Sequence, residues 1–150
     1  MLQARGGFSL IEIVIAIGIA AFCLVAMLGL IPTGMKSVKT SIEQTTATEA
    51  LDAIALDLRD IQPGSNITSL YGIGIPSGTG VALSTNLALS SIGTPMTSTN
   101  SLNTEFAVNV TLSNSTTFLT TAHIQIYWPP MAQLQNAQGI VETTITFNRN

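Results

Sequence analysis

One carboxylate, Glu12, interrupts an apolar run near the beginning of the chain, "RGGFSLIEIVIAIGIAAF". Glu12 is the only formal charge between Phe8 and Ile31. An ionised carboxylate in a membrane helix costs roughly 2.5–3.5 kcal/mol on insertion scales, so its presence needs a reason. A cut between Gly7 and Phe8 would supply one. The cut would leave a new α-amine on Phe8, and this cation is one that a carboxylate can neutralise.

Two interpretations of Glu12 follow from this chemistry. In the first, the amine of Phe8 in one subunit pairs with Glu12 of a neighbour that is shifted along a filament axis. A change of register would leave both buried charges unpaired, so such a pair specifies how subunits stack more than it stabilises them. In the second, Glu12 is an interfacial acid without a role, or it pairs with a nearby lysine. We expect the first.

The segment "GGFSLIE" resembles the processing site of type IV prepilins and of type II secretion pseudopilins. The motif combines a short leader bearing an arginine, a glycine, a phenylalanine, a glutamate at the fifth position after the cut and an uninterrupted apolar run. The resemblance implies that a membrane prepilin peptidase cleaves between Gly7 and Phe8 on the cytoplasmic face. It also implies methylation of the new amine, which gives N-methylphenylalanine, and a role for Glu12 in filament assembly.

The same resemblance implies partners and a location. The partners are other pilin or pseudopilin subunits, the prepilin peptidase, an assembly platform in the inner membrane and the lipid bilayer. The chain would be a single-pass protein of the inner (cytoplasmic) membrane, with its C-terminal domain in the periplasm or outside, and part of a filament after assembly. The positive-inside rule is nearly balanced, because Arg5 precedes the apolar run and Lys36 and Lys39 follow it. We place the N-terminus inside because of the motif.

Other kinds of chemistry find few residues to carry them. Cys23 is the only cysteine and lies inside the apolar run, so it forms no internal disulfide. His123 is the only histidine, and on a strand it would share a face with Gln125 and Tyr127, which we expect to be solvent-facing. No second base is present to activate a serine or threonine. We therefore predict that the chain is not an enzyme and has no cofactor.

The outer region is nearly uncharged. Charged residues make up 9% of the chain, and the formal charges after residue 62 are Glu105, Glu142 and Arg149. Two carboxylates do not fill a calcium site without help from backbone carbonyls, so we expect no metal. Because there is no basic patch, we also expect no nucleic-acid partner.

The elements that must position Glu12 begin with one long helix over residues 8–61. Residues 13–31 carry no formal charge, and as a helix they would span about 28 Å, which is enough to cross a membrane. Farther on, apolar residues at three- and four-residue spacing predict an amphipathic helix. These residues are Met35, Val38, Ile42, Ala50, Leu51, Ile54, Ala55, Leu58 and Ile61. A proline and a glycine at positions 63–64 then stop the helix.

Gly29, Pro32 and Gly34 lie inside this predicted helix. Proline removes a helix donor, and each glycine lowers helix propensity by about 1 kcal/mol. One interpretation is a kink where the helix leaves the membrane. The other is a stretch that melts and extends when subunits pack into a filament. In the major pilins that the chain resembles, the proline lies three positions earlier, so the correspondence is loose.

The residues after the helix predict a small β-sheet. Residues 62–104 are rich in glycine, proline, serine, threonine and asparagine, and within them residues 80–83 suggest one strand. Alternation of apolar and polar residues predicts three further strands, at 106–112, 124–128 and 141–147. The predicted fold class is α+β. A long N-terminal helix, membrane-spanning in its first half and amphipathic in its second, packs on a small antiparallel sheet, as the pilin resemblance implies.

These elements divide the chain into four parts: a leader at 1–7, a transmembrane and filament-core helix at 8–31, its amphipathic continuation at 32–61, and a Ser/Thr-rich loop region with a β-sheet domain at 62–150. The ending "HIQIYWPP" followed by "GIVETTITF" resembles PilV-like minor pilins and I-subunit pseudopilins of secretion systems, and also Verru_Chthon cassette prepilin-like proteins. In this ending, we expect Trp128 to be a core aromatic residue at the end of a strand.

The resemblance therefore predicts a minor pilin or pseudopilin, and it leaves pilus and secretion filament open. The alternative is a signal-anchored, single-pass membrane protein whose extracytoplasmic β-domain binds a ligand or a partner. That alternative predicts no cleavage at Gly7 and no requirement for Glu12.

Overall fold

The structure is a computed structural model, and it describes residues 7–62, 64–78, 80–96, 103–114, 119–132 and 134–148. Arg5 and the rest of the predicted leader up to residue 6 lie outside the described residues. The elements in chain order are helix α1 (Leu10–Arg59), strands β1 (Ala82–Ser90), β2 (Pro95–Met96), β3 (Thr104–Asn114) and β4 (Leu119–Trp128), a short 3-10 helix (Leu134–Asn136) and strand β5 (Gly139–Asn148). The fold class is α+β, as predicted.

Helix α1 contains 50 residues and begins and ends two residues inside the predicted limits. The carbonyl of Ser9 accepts the first hydrogen bond, from the Glu12 amide at 3.0 Å. The helix continues without a break through Pro32. A kink or a melting stretch at this proline, with Gly29 and Gly34 beside it, stays a prediction.

The chain divides into two compact units, of which the first ends at Ser41 and the second begins at Ile42. In the first unit every described side chain is exposed. Its large apolar side chains range from 49% exposed at Ile13 to 81% at Leu10. In the described part of the chain, α1 alone is long and apolar enough to cross a membrane, which is compatible with a single-pass anchor.

The second unit contains the last turns of α1 and one antiparallel sheet with the strand order β2-β1-β3-β4-β5. The last turns of α1 supply side chains to its core, namely Ala47, Ala50, Leu51, Ile54, Ala55 and Leu58. The strands supply apolar residues at alternate positions, namely Phe106, Val108, Val110, Leu112, Ile124, Ile126, Trp128, Ile145 and Phe147. The predicted alternation is therefore confirmed. The predicted apolar stripe of the helix is longer than its buried part, since Met35, Val38 and Ile42 are exposed.

Asp57 anchors the loop that follows the helix. Its carboxylate accepts hydrogen bonds from the amides of Tyr71 (2.9 Å) and Leu70 (3.0 Å) and from the hydroxyl of Ser69 (3.3 Å). Burial raises the pKa of Asp57, but hydrogen bonds from these groups and from the Thr68 hydroxyl outweigh burial and hold the pKa below its ordinary value of 3.8. The loop in turn adds Tyr71, Ile73 and Ile75 to the core.

A close contact between a tryptophan and a glycine joins β4 to β5. Trp128 ends β4 opposite Gly139, and it is 5% exposed, which confirms its prediction as a core aromatic residue at a strand end. Its ring packs edge-on against Phe106, with centroids 5.8 Å apart, and a cis peptide bond joins it to Pro129. A Cβ atom on Gly139 would overlap the indole ring, lying 2.7 Å from Cη2 and closer still to Cζ2 and Cε2. Glycine is therefore required here by close packing.

Replacing Gly139 by alanine tests this contact. We expect Gly139→Ala to lower the free energy of unfolding by about 1–3 kcal/mol, because the indole ring must move out of a packed position. The measurement is denaturant unfolding of the full chain in detergent, followed by the fluorescence of Trp128, the only tryptophan. Gly74→Ala is the control, since its added Cβ meets the flexible end of Leu83 at 3.3 Å. Equal stability of the two variants would contradict the packing argument.

The Asp57 contacts predict an acid-dependent stability. Because its folded pKa is depressed, the carboxylate contributes stability above its ordinary pKa near 3.8, and this contribution is lost as the pH falls through the lower folded pKa. Asp57→Asn should cost about 1–3 kcal/mol at neutral pH, since it replaces one of the two acceptor oxygens by an NH2 group and leaves the amide of Leu70 or Tyr71 without its acceptor. The same unfolding assay between pH 2 and pH 7 should show a smaller acid loss in the variant. Asp52→Asn, on an exposed position of the same helix, should change neither quantity.

Candidate functional site

The residues that the sequence singles out lie at the start of α1 and within it. Gly7, Phe8 and Ser9 precede the helix, and Glu12 lies in its first turn. In that turn a carboxylate interacts favourably with the helix dipole. The predicted cleavage position therefore lies directly before the helical turn that carries the predicted assembly residue. Pro32, with Gly29 and Gly34 on either side, lies roughly five and a half helical turns beyond Glu12.

The part of the chain that the structure describes leaves room for a side chain at Gly7. A Cβ atom added there would meet no other atom within 4 Å, and its backbone does not adopt the left-handed conformation that favours glycine. The neighbouring Phe8 side chain is 79% exposed. Within the described residues, packing therefore sets no requirement for glycine at position 7.

Glu12 has a local structural explanation that the sequence analysis missed. Ser9 is the residue before the helix, and its carbonyl accepts hydrogen bonds from the amides of Glu12 (3.0 Å) and Ile13 (3.3 Å). A serine at this position with a glutamate three residues later has the spacing of a capping box, in which the glutamate side chain caps the serine amide. The signal was present in the sequence as "SLIE". A capping role requires no neighbouring subunit, so it competes with the assembly role.

The side chain of Glu12 is exposed. Among the described residues, no hydrogen bond or ion pair is made by its carboxylate. The sequence therefore has the spacing of a capping box at this helix start, but no hydrogen bond from the Ser9 amide to the Glu12 carboxylate is observed in the described part of the chain.

The outer face of the sheet carries a second polar arrangement. The outward side chains of adjacent strands align in two rows, Ser84-Thr111-His123-Thr144 and Asn86-Asn109-Gln125-Glu142. The Asn109 amide donates to Asn86 Oδ1 at 2.8 Å and to Ser84 Oγ at 3.2 Å. The Gln125 amide donates to Glu142 Oε2 at 3.0 Å. These bonds link neighbouring strands on the face opposite the core.

His123 meets a hydroxyl and a carboxylate on this face, which the sequence alone did not reveal. Its Nδ1 lies 3.0 Å from Thr144 Oγ1, and its Nε2 lies 3.7 Å from Glu142 Oε2. The His123 side chain is 40% exposed, which confirms the predicted solvent-facing side of the strand. The His123, Thr144 and Glu142 side chains lie on the exposed face of the sheet. The backbone of β4 itself pairs with β3 on one side and with β5 on the other. The arrangement thus cross-links two strands.

A shallow groove lies beside the end of α1, between the helix and the following loop. It is lined by residues that include Leu56, Asp57 and Leu70. The Asp57 carboxylate is already occupied by hydrogen bonds from the loop. Among the described residues no group of three His, Cys, Asp or Glu side chains could hold a metal ion. The expectations of no enzyme activity, no cofactor and no metal stay predictions.

Comparison of the chain with protein families, curated proteins and solved structures finds no match in any of the three. No relative therefore supplies a function by similarity. The case for a function rests on the helix start, on the exposed apolar helix and on the sheet domain that follows.

Proposed function

We propose that this chain is a structural subunit, a minor pilin or pseudopilin, of a type IV pilus-like or type II secretion filament. It is cleaved between Gly7 and Phe8 and methylated on Phe8 before assembly. The observation that carries this proposal is the glycine–phenylalanine junction placed directly before an exposed apolar helix with a glutamate in its first turn. The overall α+β layout supports it.

The apolar helix supports the proposal because its exposed apolar surface must be buried against lipid or protein. The most apolar window of α1 has a mean hydropathy of 2.9, and none of it is buried. A helix that is apolar on all sides is covered by lipid or by other protein. A filament subunit uses both covers in turn, lipid while it is stored in the inner membrane and neighbouring helices after assembly.

The junction itself supports processing. Residues 7–9 are not helical, and the Phe8 side chain is exposed, so this stretch of backbone is open to a peptidase. Because the fold does not require glycine at position 7, recognition by an enzyme explains the residue better than packing does.

Glu12 would then receive the α-amine of a neighbouring subunit. Its carboxylate is exposed in the first turn and lies four residues beyond the proposed new N-terminus. In a bundle of such helices both charges would leave water together, and each would neutralise the other. Leaving either one unpaired would cost several kcal/mol, so the pair would fix the axial register of the subunits.

The alternative function is that of a signal-anchored protein with a binding β-domain. The capping-box spacing of Ser9 and Glu12 favours it, because that spacing explains the carboxylate within one chain. Under this alternative the leader is retained and the apolar helix stays in the bilayer. The ligand or partner would then be bound by the sheet domain of a single subunit.

The first test is the intact mass of the protein purified from the membrane of a host that processes prepilins. We expect a chain that begins at Phe8 and is about 14 Da heavier than its sequence, because of one methyl group. Gly7→Val should retain residues 1–7, since the peptidase would no longer accept the junction. Gly18→Val is the control, because it places the same side chain at another glycine with open space around it. An unprocessed wild-type chain would favour the anchored alternative.

A second test separates the charge of Glu12 from its capping ability. Glu12→Gln keeps a side chain that can complete a capping box but removes the charge, whereas Glu12→Ala removes both. We expect both variants to be processed and both to lose incorporation into filaments by about 100-fold or more, since an unpaired buried charge costs about 3–5 kcal/mol. Filaments sheared from cells and quantified by immunoblot give the measurement.

The control for this test is Glu49→Gln, which makes the same change at an exposed position of α1. It should assemble as the wild type does. If Glu12→Gln assembled normally while Glu12→Ala failed, the glutamate would act as a cap and the ion pair would be excluded. Normal assembly of both variants would leave Glu12 without an assembly role.

A further inference from the structure

The two edges of the sheet are built differently. One edge ends in β2, which has two residues and begins with Pro95. β2 pairs with Ala88 and Leu89 of β1, and the register of β1 with β3 shifts directly after Leu89. A short edge strand, a proline and an irregular register are devices by which proteins discourage pairing with another chain.

The other edge, β5, has none of these devices. It runs for ten residues and contains no proline, no lysine and a single charge, Glu142. Its register with β4 is continuous from Gly139 to Asn148. Within the described residues no strand pairs with its outer side, and no further backbone hydrogen bond reaches it. A long, regular and nearly neutral edge is a template for one more strand.

We propose that β5 pairs in antiparallel fashion with β5 of a second copy of this chain, about a two-fold axis at Thr144, so that the two sheets become one. This inference is independent of the proposed filament function, because it concerns an interaction of the second unit and requires neither processing nor Glu12.

The faces of β5 favour a second copy over an unrelated strand. The inward side chains Ile145 and Phe147 are buried in the core, whereas the outward residues Glu142, Thr144 and Thr146 are exposed. Paired antiparallel residues point to the same face of a sheet. A two-fold axis perpendicular to the sheet can pass between two copies of one residue. The apolar face of one sheet then adjoins the apolar face of the other, and the two polar faces likewise adjoin. An unrelated strand would have to match both.

The single charge and one apolar pair together favour the register with the axis at Thr144. An axis at Glu142 would place two carboxylates directly opposite each other, and an axis at Thr143 would leave them diagonal neighbours, both of which are unfavourable. With the axis at Thr144, Glu142 lies opposite Thr146 of the copy. The same register pairs Val141 with Phe147, an aromatic residue against a β-branched one, which is a favourable cross-strand combination.

The test is cysteine crosslinking of the full chain in membranes, in a Cys23→Ser background. Thr144→Cys places two thiols at the proposed axis, where a short bifunctional maleimide can join them. Thr111→Cys is the matched control, a threonine on the outward face in the same cross-strand row. Thr144→Cys should give about tenfold more crosslinked dimer, since the Thr111 positions lie five strand spacings, roughly 24 Å, apart.

A second measurement fixes the register and guards against a folding defect at position 144. Differently tagged copies carrying Glu142→Cys and Thr146→Cys are mixed, and they should crosslink to each other more than either does to itself. Equal dimer yields for Thr144→Cys and Thr111→Cys, together with no preference in the mixed pair, would overturn the proposal. Crosslinks from position 144 to a different protein would overturn it as well, because they would assign the edge to another partner.

Discussion

The packing of the last turns of α1 on one face of the sheet is the interaction on which the second unit depends. Each large apolar side chain that it buries contributes about 1.5–3 kcal/mol. Small residues make the approach close: a Cβ atom at Gly93, in the turn after β1, would lie 3.3 Å from Cβ of Ala50. The Asp57 carboxylate then holds the following loop against this core. The helix therefore organises the sheet domain as well as carrying the apolar segment.

Glu12 shows how one residue can satisfy a local and an intermolecular requirement. A glutamate in the first turn of a helix is favoured by the helix dipole and by the capping spacing with Ser9. Neither effect needs an apolar surrounding, and both together contribute only about 1–2 kcal/mol. An unpaired charge in lipid costs more than that. The local explanation is thus sufficient for a helix start in water, whereas burial of the carboxylate among apolar groups carries a further cost that a neighbouring cation would offset.

Much of the fold was predictable because its signals are local. The helix limits were predicted to within two residues, and the alternation of apolar residues located the cores of β3, β4 and β5. The contacts between residues far apart in the sequence could not be predicted, because they depend on which segments become neighbours in the fold. Nothing in the sequence distinguishes Asp57 from Asp52 or Asp60. It is buried and accepts hydrogen bonds only because the following loop returns to the end of the helix. The same holds for β2, and for His123 beside Glu142, which requires the register of β4 with β5.

Each unit has a surface that is suited to contact with something other than water. In the first unit, apolar side chains surround the helix on all sides, and contact with lipid or with other apolar helices would remove them from water. In the second, β5 presents backbone donors and acceptors along ten residues with little charge to repel a partner. The first requirement is non-directional and accepts any apolar cover, whereas the second is directional and accepts only a strand in register. The two surfaces therefore require different partners, an apolar environment for the first and a strand in register for the second.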